Sequence, residues 1–188
     1  MNYIDDVSLY NKDDETVNIV VEICRGVSDK NELVEPGFNR LNRVREVVGI
    51  YPFHYGSFPQ TFAGDDDPLD CIVFTDKTHN LLDLIKVDVI GAIKTIDAGY
   101  QDDKIICVES DCNLINVKKD LKRALKFLKY YKGYGADMVI EKKLATMEEA
   151  NKLVEQAHEA WKENKKKQVQ TPRQTTDRQK GRVRVIRR

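Results

Sequence analysis

The segment Asp65-Asp66-Asp67-Pro68-Leu69-Asp70 puts four carboxylates into six residues, between Ala63-Gly64 and the apolar run Cys71-Ile72-Val73-Phe74. In an extended stretch Asp65 and Asp67 project to one side, and a turn at Pro68 brings Asp70 back toward them. Converging carboxylates repel and raise one another's pKa, a cost that a hard cation removes. Oxygen ligands without His or Cys suit magnesium, manganese or calcium rather than zinc. The plain alternative is a solvated acidic turn. An EF-hand does not fit, because Leu69 takes its fifth position, Asp70 replaces its sixth-position glycine, and no flanking helices are legible.

A second acidic loop follows at Asp97-Ala98-Gly99-Tyr100-Gln101-Asp102-Asp103. A hairpin with Gly99 in its turn sets Asp97 and Asp102 at the two strand ends, on one edge. Two such loops could build a site for several ions. Taken alone, this one also reads as an ordinary solvated hairpin.

The elements that must position these carboxylates come in two blocks. Val17, Ile19, Val21 and Ile23 alternate with Asn18, Val20, Glu22 and Cys24, the period of a strand with one face inward. After Asp70, residues 71–74, 86–96 and 104–108 are rich in Val and Ile and predict further strands. Two helices follow. Residues 118–131 carry Leu121, Ala124, Leu125, Leu128 and Tyr131 on one face. A second helix starts at a capping box, Thr146 with Glu149, and runs Ala150, Leu153, Val154, Ala157, Trp161 along its apolar stripe; His158 falls on its rim. Strands first and helices later predict an α+β domain.

The chain has 188 residues and a formal charge of zero, which conceals an asymmetry. Over 165–188 ten Lys or Arg face the single Asp177, so that segment is +9 and residues 1–164 are −9. We divide the chain accordingly into a domain, 1–164, and a basic tail, 165–188, expected to lack order by itself. No apolar stretch approaches the roughly 18 residues of a membrane span, and the first 15 residues are acidic, unlike a secretory signal. Cys24, Cys71, Cys107 and Cys112 form no Cys-x-x-Cys pair, and the expectation is reduced thiols in a cytoplasmic protein.

At this point the sequence resembles the family I soluble inorganic pyrophosphatases, whose signature Asp-(Ser/Gly/Asp/Asn)-Asp-(Pro/Glu)-apolar-Asp-apolar is satisfied at every position from Asp65 to Cys71. Tyr51-Pro52-Phe53-His54-Tyr55-Gly56 resembles the family's Tyr-Pro-x-x-Tyr-Gly element. Glu22 ends the first strand, Lys30-Asn31-Glu32 resembles its Lys-x-Glu, and Arg43 falls where its phosphate-binding arginine does, with Arg40 and Arg45 as competitors. Asp97, Asp102 and Lys104 keep the family spacing, and Tyr131-Lys132 resembles its Tyr-Lys pair. Ala98 departs from the pattern, standing where many relatives carry an acid. Lys126 and Tyr130 lie where some bacterial members have histidines at a subunit contact.

The resemblance implies an OB-like five-stranded β-barrel with two or more flanking helices. It implies hydrolysis of pyrophosphate to two phosphates, an inorganic diphosphatase activity, with several magnesium ions per site and manganese as a substitute. Asp65, Asp70 and Asp102 would hold one ion, with Asp97, Glu32 and, through water, Glu22 serving others. Metals would lower the pKa of a shared water from about 16 toward neutrality. Asp67 would orient that water and take its proton. Lys30 and Tyr55 would contact the attacked phosphoryl group, Arg43, Tyr131 and Lys132 the leaving phosphate, and Tyr51 and Lys104 would steady the carboxylates. A homo-oligomer is expected, with no membrane contact. Two rival readings are an OB-like nucleic-acid-binding protein, using the 165–188 tail on nucleic acid, and an inactive structural relative.

Overall fold

The computed structural model describes residues 1–14, 16–34, 37–64, 67–113, 115–133, 135–136 and 138–170. Asp65, Asp66 and most of the basic tail lie outside the described residues. Five strands close into a barrel in the order β1 (Val17–Ile23), β4 (His54–Ser57), β5 (Asp70–Phe74), β9 (Lys104–Glu109), β6 (Leu84–Ile93). All neighbours are antiparallel except β5 and β9, which run parallel. Two small sheets sit beside it, β2 (Asp29–Leu33) with β3 (Leu41–Glu46), and β10 (Met138–Ile140), β7 (Thr95–Asp97) and β8 (Tyr100–Gln101). The helices are α1 (Val117–Leu128) and α2 (Met147–Gln170). Neither is long and apolar enough to cross a membrane.

Strand periodicity divides the core in two. Val17, Ile19 and Val21 join Cys71, Val73, Val87, Val89, Ile105 and Cys107 in one cluster, which Ala150, Val154 and Ala157 of α2 also enter. The intervening Ile72, Phe74 and Ile106 join Tyr51, Phe53, Tyr55 and the apolar face of α1 in the other. β1 departs from its expected solvent face, because Val20 and Glu22 are buried as well. β1 and β4 approach so closely at Gly56 that a Cβ there would meet the Val20 carbonyl oxygen at 1.9 Å. The glycine after Tyr55 is therefore a packing requirement that fixes the tyrosine beneath the site.

The helix signals hold. Asn116 caps α1 through its side chain on Lys119 N (3.0 Å). Thr146 and Glu149 form the reciprocal capping box of α2. Helical structure extends past residue 164, where the tail was expected to begin. α2 continues through Gln170, because Lys, Glu and Gln keep helix propensity after the apolar stripe ends, and Lys165 Nζ reaches Asp5 Oδ2 at 2.7 Å. His158 is buried rather than on the rim, its Nδ1 2.6 Å from Gln60 O and its ring stacked on Trp161.

Candidate active site

Seven segments converge on one cavity of about 290 Å³. β1 contributes Glu22, β2 contributes Lys30 and Glu32, and β4 contributes Tyr55 and Ser57. The loop before β5 and the first residue of that strand supply Asp67 and Asp70, the β7–β8 hairpin and its exit supply Asp97, Tyr100 and Asp102, β9 supplies Lys104, and the turn after α1 supplies Tyr131 and Lys132.

The acidic loop is anchored from below. Phe58 N donates to Leu69 O (3.0 Å), Thr61 Oγ1 to Phe58 O (2.7 Å), and Leu69 N to Thr61 Oγ1 (3.0 Å), with Thr61 fully buried. The backbone that carries Asp67 is thereby closed into a fixed turn, with Ala63 N donating to Asp67 O at 2.7 Å. The second acidic loop is the expected hairpin. Asp97 pairs with Tyr100, and Ala98 and Gly99 both take positive φ (49° and 87°), as a two-residue primed turn requires. Ala98 thus tolerates a conformation that glycine or asparagine adopts more readily.

Carboxylates and cations alternate through the cavity. Lys104, 2% exposed, donates to Asp70 Oδ2 (2.6 Å) and to Asp102, and Tyr55 Oη donates to the same Asp70 oxygen (2.5 Å). Lys132 pairs with Asp97, and Lys30 with Glu32. Burial alone would lower Lys104, but Asp70 and Asp102 outweigh it and hold the ammonium above the usual lysine range. Burial, with Arg45 and Lys30 nearby, brings Lys132 down to about 8. Burial and the charge of Asp70 push Glu22 up to about 8, against the Ser57 hydroxyl that donates to it at 2.8 Å. Burial also raises Tyr131 to about 12 and lifts Tyr55 and Tyr51 further. Tyr51 lies beneath both other tyrosines, its ring centroid 6.1 Å from Tyr55 and 6.4 Å from Tyr131.

One expected position is displaced. Arg43 faces away from the cavity, exposed and bound to Asp29 Oδ1 at 2.7 Å. Its neighbour Arg45 lies over the Tyr131 ring (5.9 Å to the centroid), with Nε and Nη2 shut off from solvent and without a hydrogen-bond partner among the described residues. The cause is a bulge. Lys30 pairs with Arg45 but Asn31 pairs with Arg43, so Val44 is an extra residue that turns Arg43 to the far face. Ser57 and Tyr100 also line the cavity without having been singled out; Ser57 follows Tyr55 by two residues in β4, and that spacing could have indicated it.

Oxygen-only carboxylate donors fit a hard divalent cation, and the ammonium shared by Asp70 and Asp102 marks where positive charge is demanded. Among the described residues no three acidic or imidazole side chains are gathered closely enough to hold an ion by themselves. Asp65, the third expected ligand, lies outside those residues.

The family model for inorganic pyrophosphatase matches residues 19–162. An inorganic pyrophosphatase of Dictyostelium discoideum is 30% identical over 193 aligned residues, covering 84% of this chain and 69% of its own length. One from Neisseria meningitidis serogroup B is 31% identical, covering 77% of this chain and 88% of its own. In three dimensions the chain resembles the type I inorganic pyrophosphatase of P falciparum (TM-score 0.80, 24% identity, 90% of this chain and 67% of that one). It likewise resembles the inorganic pyrophosphatase of Thermus thermophilus (TM-score 0.75, 24% identity, 86% and 99%). At those identities the structural likeness establishes the OB-like barrel fold alone.

Proposed function

The chain belongs to the inorganic pyrophosphatase family, and from that premise we propose how its cavity hydrolyses pyrophosphate to two phosphates. The observation that carries the reading is the buried Lys104 ammonium clamped by Asp70 and Asp102, on the floor of a cavity whose walls alternate carboxylates with cations. Such a site matches a substrate that is itself a polyanion and arrives with cations. Neither rival reading needs that alternation.

The ion proposed is magnesium, with manganese as a substitute. Asp65, Asp70 and Asp102 would hold the first ion, and Asp97, Glu32 and Glu22 those that enter with substrate. Bound there, the ions would neutralise phosphoryl oxygens and bring the pKa of water toward neutrality. Asp67 orients the attacking water and accepts its proton at a carboxylate oxygen. Lys30 and Tyr55 contact the phosphoryl group under attack; Tyr55 Oη also steadies Asp70. Tyr131, Lys132 and Arg45 hold the leaving phosphate, Arg45 in place of Arg43, because the unpartnered guanidinium donors suit phosphate oxygens. Lys104 keeps Asp70 and Asp102 apart from each other's charge.

Two measurements follow. Arg45→Ala should lower kcat/KM for pyrophosphate by about 10–100-fold, the roughly 1.5–3 kcal/mol of a charged hydrogen bond, while Arg43→Ala stays within about twofold. The reverse order in steady-state kinetics would return the role to Arg43. Magnesium at a hundredfold excess over its Kd should add about 2.7 kcal/mol of stability. For a chain of this length that is a rise in Tm of about 5–10 °C, reversed by chelator. A melting curve indifferent to millimolar magnesium would leave the carboxylates as a surface cluster.

We further propose a cytoplasmic enzyme, supported by four free thiols, that assembles into a homo-oligomer, supported by the exposed Val44, Val48 and Ile50. The basic 165–188 segment is proposed to touch nucleic acid through its phosphates, supported by its charge of +9.

A further inference from the structure

We propose that the outer face of α1 is a docking surface for a nucleic-acid backbone, separate from the active site and from the C-terminal tail. At 3.6 residues per turn, Lys118, Lys129, Lys122, Lys126, Lys119 and Arg123 fall, in that order, within an arc of roughly 140°. All six are exposed. The opposite arc, with Ala124, Leu128, Leu121, Leu125 and Phe127, is taken up by the core cluster that also holds Tyr51 and Phe53.

Three features separate this stripe from an ordinary solvated face. Among the described residues only Arg123 of the six makes an ion pair, with Asp120 at 3.5 Å, and Lys129 lies over the Tyr130 ring. The helix therefore tolerates like charges at i,i+4 (Lys118–Lys122, Lys122–Lys126, Lys119–Arg123) that oppose its own formation. Lys118 and Lys119 also stand in its first turn, where the helix dipole disfavours cations. α2 differs in degree: its first turn holds Glu148 and Glu149 where α1 has Asp120 beside two lysines, and it pairs Lys162 with Glu159 at i,i+3. Finally, residues 117–132 carry seven Lys or Arg against one Asp, within a domain that is −9 overall, so the stripe is a local reversal of sign.

A row of unpaired ammonium groups spaced three to four residues apart, about 4.5–6 Å along the axis, suits a polymer of phosphates. A lipid surface is the poorer match, because interfacial helices insert an apolar face and that of α1 is already buried. The stripe ends two residues before Tyr131 of the cavity. A polymer held there would place the pocket beside nucleotidyl transfer, a class of reaction that releases pyrophosphate. The binding itself does not depend on the enzymatic reading.

The test is fluorescence anisotropy of a labelled DNA duplex with the full chain, its K118Q/K122Q/K126Q variant and the matching K118R/K122R/K126R variant, across a salt series. Wild type and the arginine variant should bind alike. The glutamine variant should bind about tenfold or more weakly at low salt, with its log–log salt slope reduced by about 2.7, at 0.9 per lost phosphate contact. Its Tm should be unchanged or raised, and its pyrophosphate turnover should stay within about twofold. Equal slopes for wild type and the glutamine variant would overturn the proposal, assigning any binding to the tail. So would capture of the wild type by phosphatidylserine vesicles without duplex binding.

Discussion

Asp67→Asn is expected to cut pyrophosphate turnover by about 10² to 10⁴-fold, the usual contribution of a positioned general base. The substitution keeps the size of the side chain and removes only its capacity to accept a proton. Asp67 is exposed at the cavity, and the backbone of the loop that carries it is anchored by Thr61, Phe58 and Leu69. Stability should therefore change by no more than about 0.5 kcal/mol, the usual range for a surface position. The magnesium dependence of the Tm should also be retained, since Asp67 is not proposed as a ligand. Steady-state phosphate release and a melting series in magnesium together make the test. Near-normal turnover would remove Asp67 from the proton transfer, and loss of the magnesium effect on Tm would make it a ligand.

Lys104→Met should produce the largest loss of stability. Its ammonium is 2% exposed and lies against Asp70 and Asp102, whose side chains are 25% and 18% exposed. Methionine matches the length of the aliphatic stem but leaves two facing carboxylates without their shared cation. Breaking a buried ion pair from one side costs about 3–5 kcal/mol. For a chain of this length the Tm should fall on the order of 10 °C. Magnesium should then restore more Tm to the variant than it adds to the wild type, because a divalent ion relieves the repulsion the ammonium relieved. A fall of only a degree or two, with no larger magnesium response, would mean that Lys104 is not what holds these carboxylates together.

What was legible in the sequence were the features that local chemistry imposes. The Thr146–Glu149 capping box and the apolar stripe of α2 follow from helix geometry, and the Ala98-Gly99 turn follows from strand pairing. Asp67, Asp70 and Lys104 were singled out through the family resemblance, and all three line one cavity. β2 and β3 were not legible. Asp29-Lys30-Asn31-Glu32-Leu33 has no apolar alternation, since one of its faces serves the cavity and the other is open. The choice between Arg43 and Arg45 was closed to spacing arguments for a related reason. Counting assumes a strict two-residue period, and the bulge at Val44 breaks that period by one residue. The end of α2 was not legible, because its apolar stripe stops at Trp161 while the helix runs on to Gln170. Lys165 to Gln170 remain helical on propensity, with Lys165 fastened to Asp5 at the far end of the chain.

The most direct test of the account is phosphate release by the purified wild-type chain from pyrophosphate, ATP and a phosphomonoester, with and without magnesium. The reading predicts rapid release from pyrophosphate that requires the metal, together with little or none from the other two substrates. The proposed assignment carries this selectivity, with Lys30 and Tyr55 proposed to contact one phosphoryl group of a small anion and Arg45, Tyr131 and Lys132 the other. Absence of release from pyrophosphate by folded protein in millimolar magnesium, or equal rates on the phosphomonoester, would contradict it.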